Sequence, residues 1–397
     1  MTAKNLQDLK DKVKYLGIPE KVYKTMEEAL ATGIPDVSVG TDDKIGQDKM
    51  AYLLNFHQGK NGDYYLNSVD ATLTKGIRIF PGTVNEIDIK ALDEEMGKTN
   101  WKIHRDMFNN MADLTETEYQ VLRDQNRVME KLMQLGSEGN ERGMAVQELL
   151  MVKYFRDTVF AETIPDFHKM AAKHEVKQNF PTTIEESYTG KEMYNMMWGR
   201  GVKNEINPQL KKGQNQVAQQ EVQDPEDATQ DNAILKKKHQ AYVILDFNVK
   251  TKKGNYLMKY FYRQTAEQVK KDGPKFNVAR KAAELPYLER DDPKTFAWTI
   301  ESLEKGNLTK VHFPIEGKSV PFTLETNLRT RSLTAKDMEG NIVPHAYLGK
   351  DQSVDVTPII KKYQEYMVKN EGKNHSYYRR PAKAMVKVKT RGEELSL

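Results

Sequence analysis

Cysteine is absent from the 397 residues. That absence removes disulfides, thiolate zinc sites, iron–sulfur clusters and cysteine nucleophiles. Apolar residues are scarce at 38%, and charged ones reach 30%, above the usual quarter or so. The cores are therefore modest, and some stretches are expected to stay unfolded. The first 25 residues hold no signal-peptide core, and no run approaches the roughly 18 apolar residues of a membrane span. These absences imply a cytoplasmic protein with no membrane partner. Lys and Arg number 61 and Asp and Glu 57, a net charge of +4, too small for a surface that coats nucleic acid all round.

Catalytic and cofactor motifs are missing as well. Gly97-Lys98-Thr99 and Gly317-Lys318-Ser319 end like a phosphate-binding loop, but the glycine required five residues earlier is Leu92 in one and His312 in the other. Each lysine reads as a turn residue after glycine. Neither G-x-G-x-x-G nor G-x-S-x-G occurs. The eight histidines, at 57, 104, 168, 174, 239, 312, 345 and 375, form no H-E-x-x-H pair. His168 and His174 stand roughly 240° apart round a helix and share no face. Neighbouring acids such as Glu185-Glu186 and Asp291-Asp292 are expected by chance in a chain with 57 of them, and read as solvated loop charges. No catalytic residue, metal site or cofactor is expected.

What the sequence does contain is a succession of helix and hairpin signals. Residues 1–48 carry Leu6, Leu9, Val13 and Leu16, then Val22, Tyr23, Met26 and Leu30 at helical spacing, and predict a helical hairpin followed by a polar stretch. Residues 49–85 predict a β-hairpin, Met50 to Phe56 and Tyr64 to Leu73 about the Asn61-Gly62 turn. Residues 86–180 read as a helical insertion, with Thr115 and Glu118 as a capping box. Residues 181–206 and 239–345 form the expected α+β domain: a short helix capped by Thr189, the hairpin "AYVILDF" and "LMKYFYRQ", further helices, and strands about Gly317. Its first hairpin echoes the earlier one, as duplication or a common hairpin pattern would produce. Residues 207–238 hold seven glutamines and no aromatic, and predict a disordered linker. The fold class is thus α+β, antiparallel β-hairpins packed with helices and a helical insertion in the first half.

Residues 346–397 predict a basic C-terminal tail. Lys361 to Leu397 hold ten Lys and Arg against four Glu, with tyrosines interleaved. Flexible cations neutralise phosphates and exposed rings stack on unpaired bases, so Tyr377, Tyr378, Arg379, Arg380, Lys383, Lys387, Lys389 and Arg391 are the expected contacts to DNA or RNA. The competing expectation is a solubilising terminus or a docked edge strand, since "MVKVKT" alternates. Met193, Met197 and Trp198 read as core or as a surface for a partner protein.

The block "YTGKEMYNMMWGRGV", then "AYVILDF" and "KGNYLMKYF", "ESLEKGNLTKVHF" and "FTLETNLRTRSLTAKDMEGN", resembles in order an uncharacterised domain family. Its members carry a "keAYnLL-GRaV" helix, a "yxAWvqLDF" strand, a "LxkGNxqxVtF" turn and a closing strand; "NGDYYLNSVDATL" resembles the strand before that helix. The resemblance spans Met50 to Leu73 and Ile184 to Val343, with 88–175 as an insertion. Tyr242 stands where the family has Trp, and Leu328 where it has Pro. The resemblance implies a shared fold and carriage on conjugative or integrative elements of gut bacteria, beside DNA-processing genes, with no activity attached. The functional expectation is a non-enzymatic accessory protein of a mobile element or phage, binding nucleic acid or a DNA-processing partner. The alternative is a protein-only adaptor or a structural, packaged component of a phage or secretion particle.

Overall fold

The computed structural model describes residues 1–102, 114–137, 139–183, 186–206, 239–262, 276–349 and 355–370. The chain divides into two compact units. The first comprises Met1–Lys275 with Glu304–Asn307 and Thr326–Thr330; the second comprises Phe276–Leu303, Leu308–Glu325 and Arg331–Leu397. The fold is α+β.

In the first unit, Thr2 caps α1 (Ala3–Tyr15) by accepting from the Asn5 amide, and α2 (Val22–Ala31) follows. Their apolar stripes, Leu9 and Val13 on one helix and Val22, Met26 and Leu30 on the other, are buried. Each such side chain contributes about 1.5–3 kcal/mol of burial. Strands β1 (Asp36–Ile45), β2 (Asp48–Gln58) and β3 (Tyr64–Thr74) pair antiparallel. Strict alternation along β2 turns Met50, Tyr52, Leu54 and Phe56 inward.

Between β3 and its next neighbour lies a mainly helical insertion: β4 (Thr83–Val84), β5 (Ile87–Asp88), α3 (Ile89–Lys98), α4 (Glu116–Leu135), α5 (Glu141–Phe155), α6 (Phe160–Thr163) and α7 (Phe167–Ala172). Thr115 and Glu118 complete the capping box of α4. The insertion has its own core, in which the rings of Trp101 and Phe155 lie 4.8 Å apart and those of Phe155 and Phe160 5.1 Å apart. β6 (Glu175–Pro181) then returns to pair with β3, giving the order β1-β2-β3-β6. The insertion thus ends before residue 175, because Val176 and Phe180 supply the inward face of a strand.

Thr189 and Glu192 form the capping box of α8 (Gly190–Met197), which leads into a second antiparallel sheet, β7 (Val202–Ile206), β8 (His239–Lys250) and β9 (Tyr256–Tyr262). Gln178, 4% exposed, joins the two sheets: its Oε1 accepts from the Tyr256 amide at 2.8 Å and its Nε2 donates to the Tyr256 carbonyl at 3.3 Å. The hairpins that echo one another in sequence share one turn. The Gly59 amide bonds the Asp63 carbonyl and the Gly62 amide the Gly59 carbonyl; Thr251, Asn255 and Gly254 repeat the pattern. Gly62 and Gly254 both sit at φ 82°, where a side chain would strain the backbone.

The second unit contains α9 (Val278–Ala283), α10 (Pro293–Glu304) up to Leu303, the antiparallel strands β10 (Thr309–Ile315), β11 (Lys318–Asn327) up to Glu325, β12 (Ser332–Lys336) and β13 (Ile342–Val343), and α11 (Thr357–Lys369). Asp292 accepts from the Thr295 amide at 2.9 Å at the start of α10, so this acid is a helix cap and no free loop charge. The Tyr287 ring is 1% exposed, and its hydroxyl has no hydrogen-bond partner among the described residues. A hydroxyl buried this way loses its hydration for nothing. Tyr287→Phe is accordingly expected to leave stability unchanged or raise it by up to about 1 kcal/mol in urea unfolding; a loss larger than that contradicts the environment described.

Several expectations need correction. The polar stretch before Met50 is a strand, β1, with Val37 and Val39 inward and Asp36, Ser38 and Gly40 outward. Gly97-Lys98 closes a helix instead of following a turn, whereas Gly317, at φ 75°, does occupy the turn between β10 and β11. Part of the supposed tail is helical, as α11. The expected linker 207–238 and the segment 371–397 lie outside the described residues.

Candidate functional site

Helix α8 is only eight residues long, and Met193, Met196 and Met197 all lie fully buried in the core shared by the two sheets of the first unit. Met193 and Met197 therefore belong to the interior and are no partner surface. Trp198, one residue past the helix, is 37% exposed, and Gly199 at φ 80° turns the chain away beyond it. Only this third member of the expected group reaches solvent.

What fixes the indole is Asp48, the first residue of β2 and 8% exposed. Its Oδ2 accepts from Trp198 Nε1 at 2.9 Å and from the Tyr194 hydroxyl at 2.7 Å; its Oδ1 accepts from the Gly76 amide at 2.7 Å. Bonds to an ionised acceptor are the stronger kind. Burial, with the bond to Asp48 adding to it, pushes the Tyr194 pKa up to about 12, so this hydroxyl remains a donor at neutral pH.

Cations surround the ring. Lys75 Nζ lies 4.5 Å from the Trp198 ring centroid, and Arg200 Cζ lies 5.9 Å from it and 5.6 Å from that of Tyr194. Burial lowers the Lys75 pKa, while Asp48 opposes the shift. Partial desolvation, and then the charges of Arg200 and Lys305, lower that of Lys191. Three cations thus share one region. Asn195, 1% exposed, holds two of them in place: its Oδ1 accepts from Arg200 at 2.7 Å, and its Nδ2 donates to the Lys305 carbonyl at 2.8 Å and to Asn307 at 2.9 Å. Gly306, at φ 74°, passes so close that an added Cβ would lie 2.8 Å from the Gly201 carbonyl oxygen. Two nearby acids have partners of their own: Glu304 meets Lys203 at 2.9 Å, and Glu192 closes the cap of α8.

The site unites Asp48, Lys75, the segment from Lys191 to Arg200, and Lys305, and of these the sequence singled out only Met193, Met197 and Trp198. The signal nearest to it is the pair of blocks "KEMYNMMWGRGV" and "LEKGNLTKVHF" carrying the resemblance, whose parts meet at Asn195 and Asn307. The expected nucleic-acid contacts Tyr377, Tyr378, Arg379, Arg380, Lys383, Lys387, Lys389 and Arg391 lie outside the described residues.

A second polar cluster corrects the reading of Glu186 as a solvated acid. It is 7% exposed, and its Oε1 accepts from the hydroxyls of Tyr188 and, at 3.0 Å, Tyr260. Burial, reinforced by the Glu186 charge, raises the Tyr188 pKa well above the ordinary phenol value, so the proton stays on the ring oxygen and the cluster works as an internal tie. Among the described residues no group of three or more His, Asp or Glu is arranged to hold a metal ion, and no helix is long and apolar enough to cross a membrane. No family model matches the chain, and neither does any curated protein or solved structure.

Proposed function

We propose that the chain is a non-enzymatic accessory protein of a mobile genetic element or phage that binds nucleic acid through its phosphates. The observation that carries this reading is the placing of Lys75 and Arg200 against the partly exposed Trp198, with Lys191 near enough to Arg200 and Lys305 to sense their charges. Burial lowers the pKa of Lys191, and the charges of Arg200 and Lys305 add to that shift; an anionic strand offsets the repulsion among these cations and releases its own counterions. The mobile-element setting rests on the resemblance of the blocks that build this site. The basic segment from Lys361 to Arg391, with Tyr377, Tyr378, Arg379 and Arg380, supplies further phosphate contacts in this proposal.

Binding of labelled oligonucleotides by the full chain, followed by anisotropy from dilute to physiological salt, tests the reading. Four phosphate contacts on a single strand predict a log–log slope of about −3, steeper if the C-terminal cations join. Lys191→Glu combined with Lys305→Glu should flatten it by about 1.5. A chain acting only as a protein adaptor or packaged component shows no salt-dependent binding to DNA or RNA, and that result would remove the proposal.

A further inference from the structure

Resting on that nucleic-acid reading, we infer that the Trp198 indole is a stacking platform for an unpaired base, so that the site takes single-stranded nucleic acid in preference to duplex. The ring is held in advance of any ligand. Its N–H is spent on Asp48 Oδ2 at 2.9 Å, the same oxygen accepts from Tyr194 at 2.7 Å, and the other carboxylate oxygen is anchored to the Gly76 amide. A ring fixed this way binds without first being ordered. It also stands at the end of α8, 37% exposed, where Gly199 carries the backbone off behind it.

The cations on the ring fit the same ligand. Lys75 at 4.5 Å and Arg200 at 5.9 Å are held to the indole by cation–π attraction, which is weak at an exposed site. When a base stacks on the indole, Lys75 exchanges the ring for a phosphate of the same strand, a stronger charge-assisted contact, while Arg200, kept in place by Asn195, stays beside the site. A duplex keeps its bases internal and offers the ring nothing; it meets only the cations. A membrane fits less well, because an indole only 37% exposed and tethered at its N–H offers little apolar area to insert.

The test uses the full chain, a thymidine oligomer of about twelve residues, a duplex of the same length, and vesicles of phosphatidylcholine with phosphatidylserine. Intrinsic emission should be quenched by the oligomer and little changed by the duplex. Trp298, also 37% exposed, is changed to Phe in the background so that the signal comes from Trp198 and the buried Trp101. Trp198→Ala should weaken oligomer binding about 5- to 30-fold while duplex binding changes less than about twofold. Trp198→Phe, which keeps a ring, should retain most of the preference and guards against misfolding of the alanine variant. Equal losses on both ligands, or no loss on the single strand, overturn the inference and leave phosphate binding intact. Emission that shifts with vesicles but not with the oligomer assigns the ring to a membrane and also overturns it. Failure to bind either nucleic acid in low salt removes this inference and the proposed function together.

Discussion

Asp48→Ala is expected to lower the stability of the first unit by about 3 kcal/mol, the effect of withdrawing an ionised acceptor from several donors at once. Three donors converge on this one side chain: the Gly76 amide, the Tyr194 hydroxyl and the Trp198 indole N–H. Hydrogen bonds to a charged group contribute about 1.5–3 kcal/mol each, and removing the acceptor also strands donors that were shielded from water. The estimate stays below the simple sum because Trp198 is 37% exposed and its N–H can turn to solvent. Asp48→Asn retains one carbonyl acceptor and should lose about half as much. Urea unfolding measures both variants, and Trp198 emission should shift to longer wavelength as the ring loses its tether. A loss below about 1 kcal/mol for the alanine variant would mean that Asp48 is not what fixes the ring.

Phe155→Ala should be the most damaging single change in the helical insertion, by about 3–5 kcal/mol. The side chain is 0% exposed and packs edge-on against Trp101 at 4.8 Å and stacked on Phe160 at 5.1 Å, so truncation leaves a void between those two rings. Because the insertion keeps its own core, apart from the one that holds α8, the loss should fall on residues 89–172 first. Hydrogen exchange separates the two regions: amides of α4 and α5 should lose protection while those of β2 and β3 keep theirs. Uniform loss of protection across both would show that the two cores melt as one.

The elements legible in the sequence are those whose local chemistry and buried face agree. Thr115 with Glu118 and Thr189 with Glu192 close the capping boxes their spacing suggests, and Gly62 and Gly254 occupy the left-handed turn positions that their hairpins require. Strand β1 was hidden because its outward residues, Asp36, Ser38, Gly40 and Asp42, look like a loop; only Val37 and Val39 are buried, and pairing with β2 makes the strand. Gln178 looks like a surface residue until the Tyr256 backbone meets its amide across the sheets. Met193 and Met197 take the core reading of their helix and not the partner-surface one. On so short a helix both sides are covered, and the exposed aromatic is the residue just past its end. The site escaped detection because its parts come from positions 48, 75, 191–200 and 305, distances along the chain that no local pattern spans. Tertiary structure alone brings a carboxylate from the start of β2 to the N–H of an indole at the end of α8.

Photocross-linking of the chain to a thymidine oligomer, with the adducts mapped by mass spectrometry, locates the bound strand on the protein. Adducts are expected within residues 191–203, centred on Tyr194 and Trp198, and reduced by Lys191→Glu with Lys305→Glu. Adducts confined to Tyr377 and Tyr378, or spread over the chain with none on Trp198, would contradict that placement.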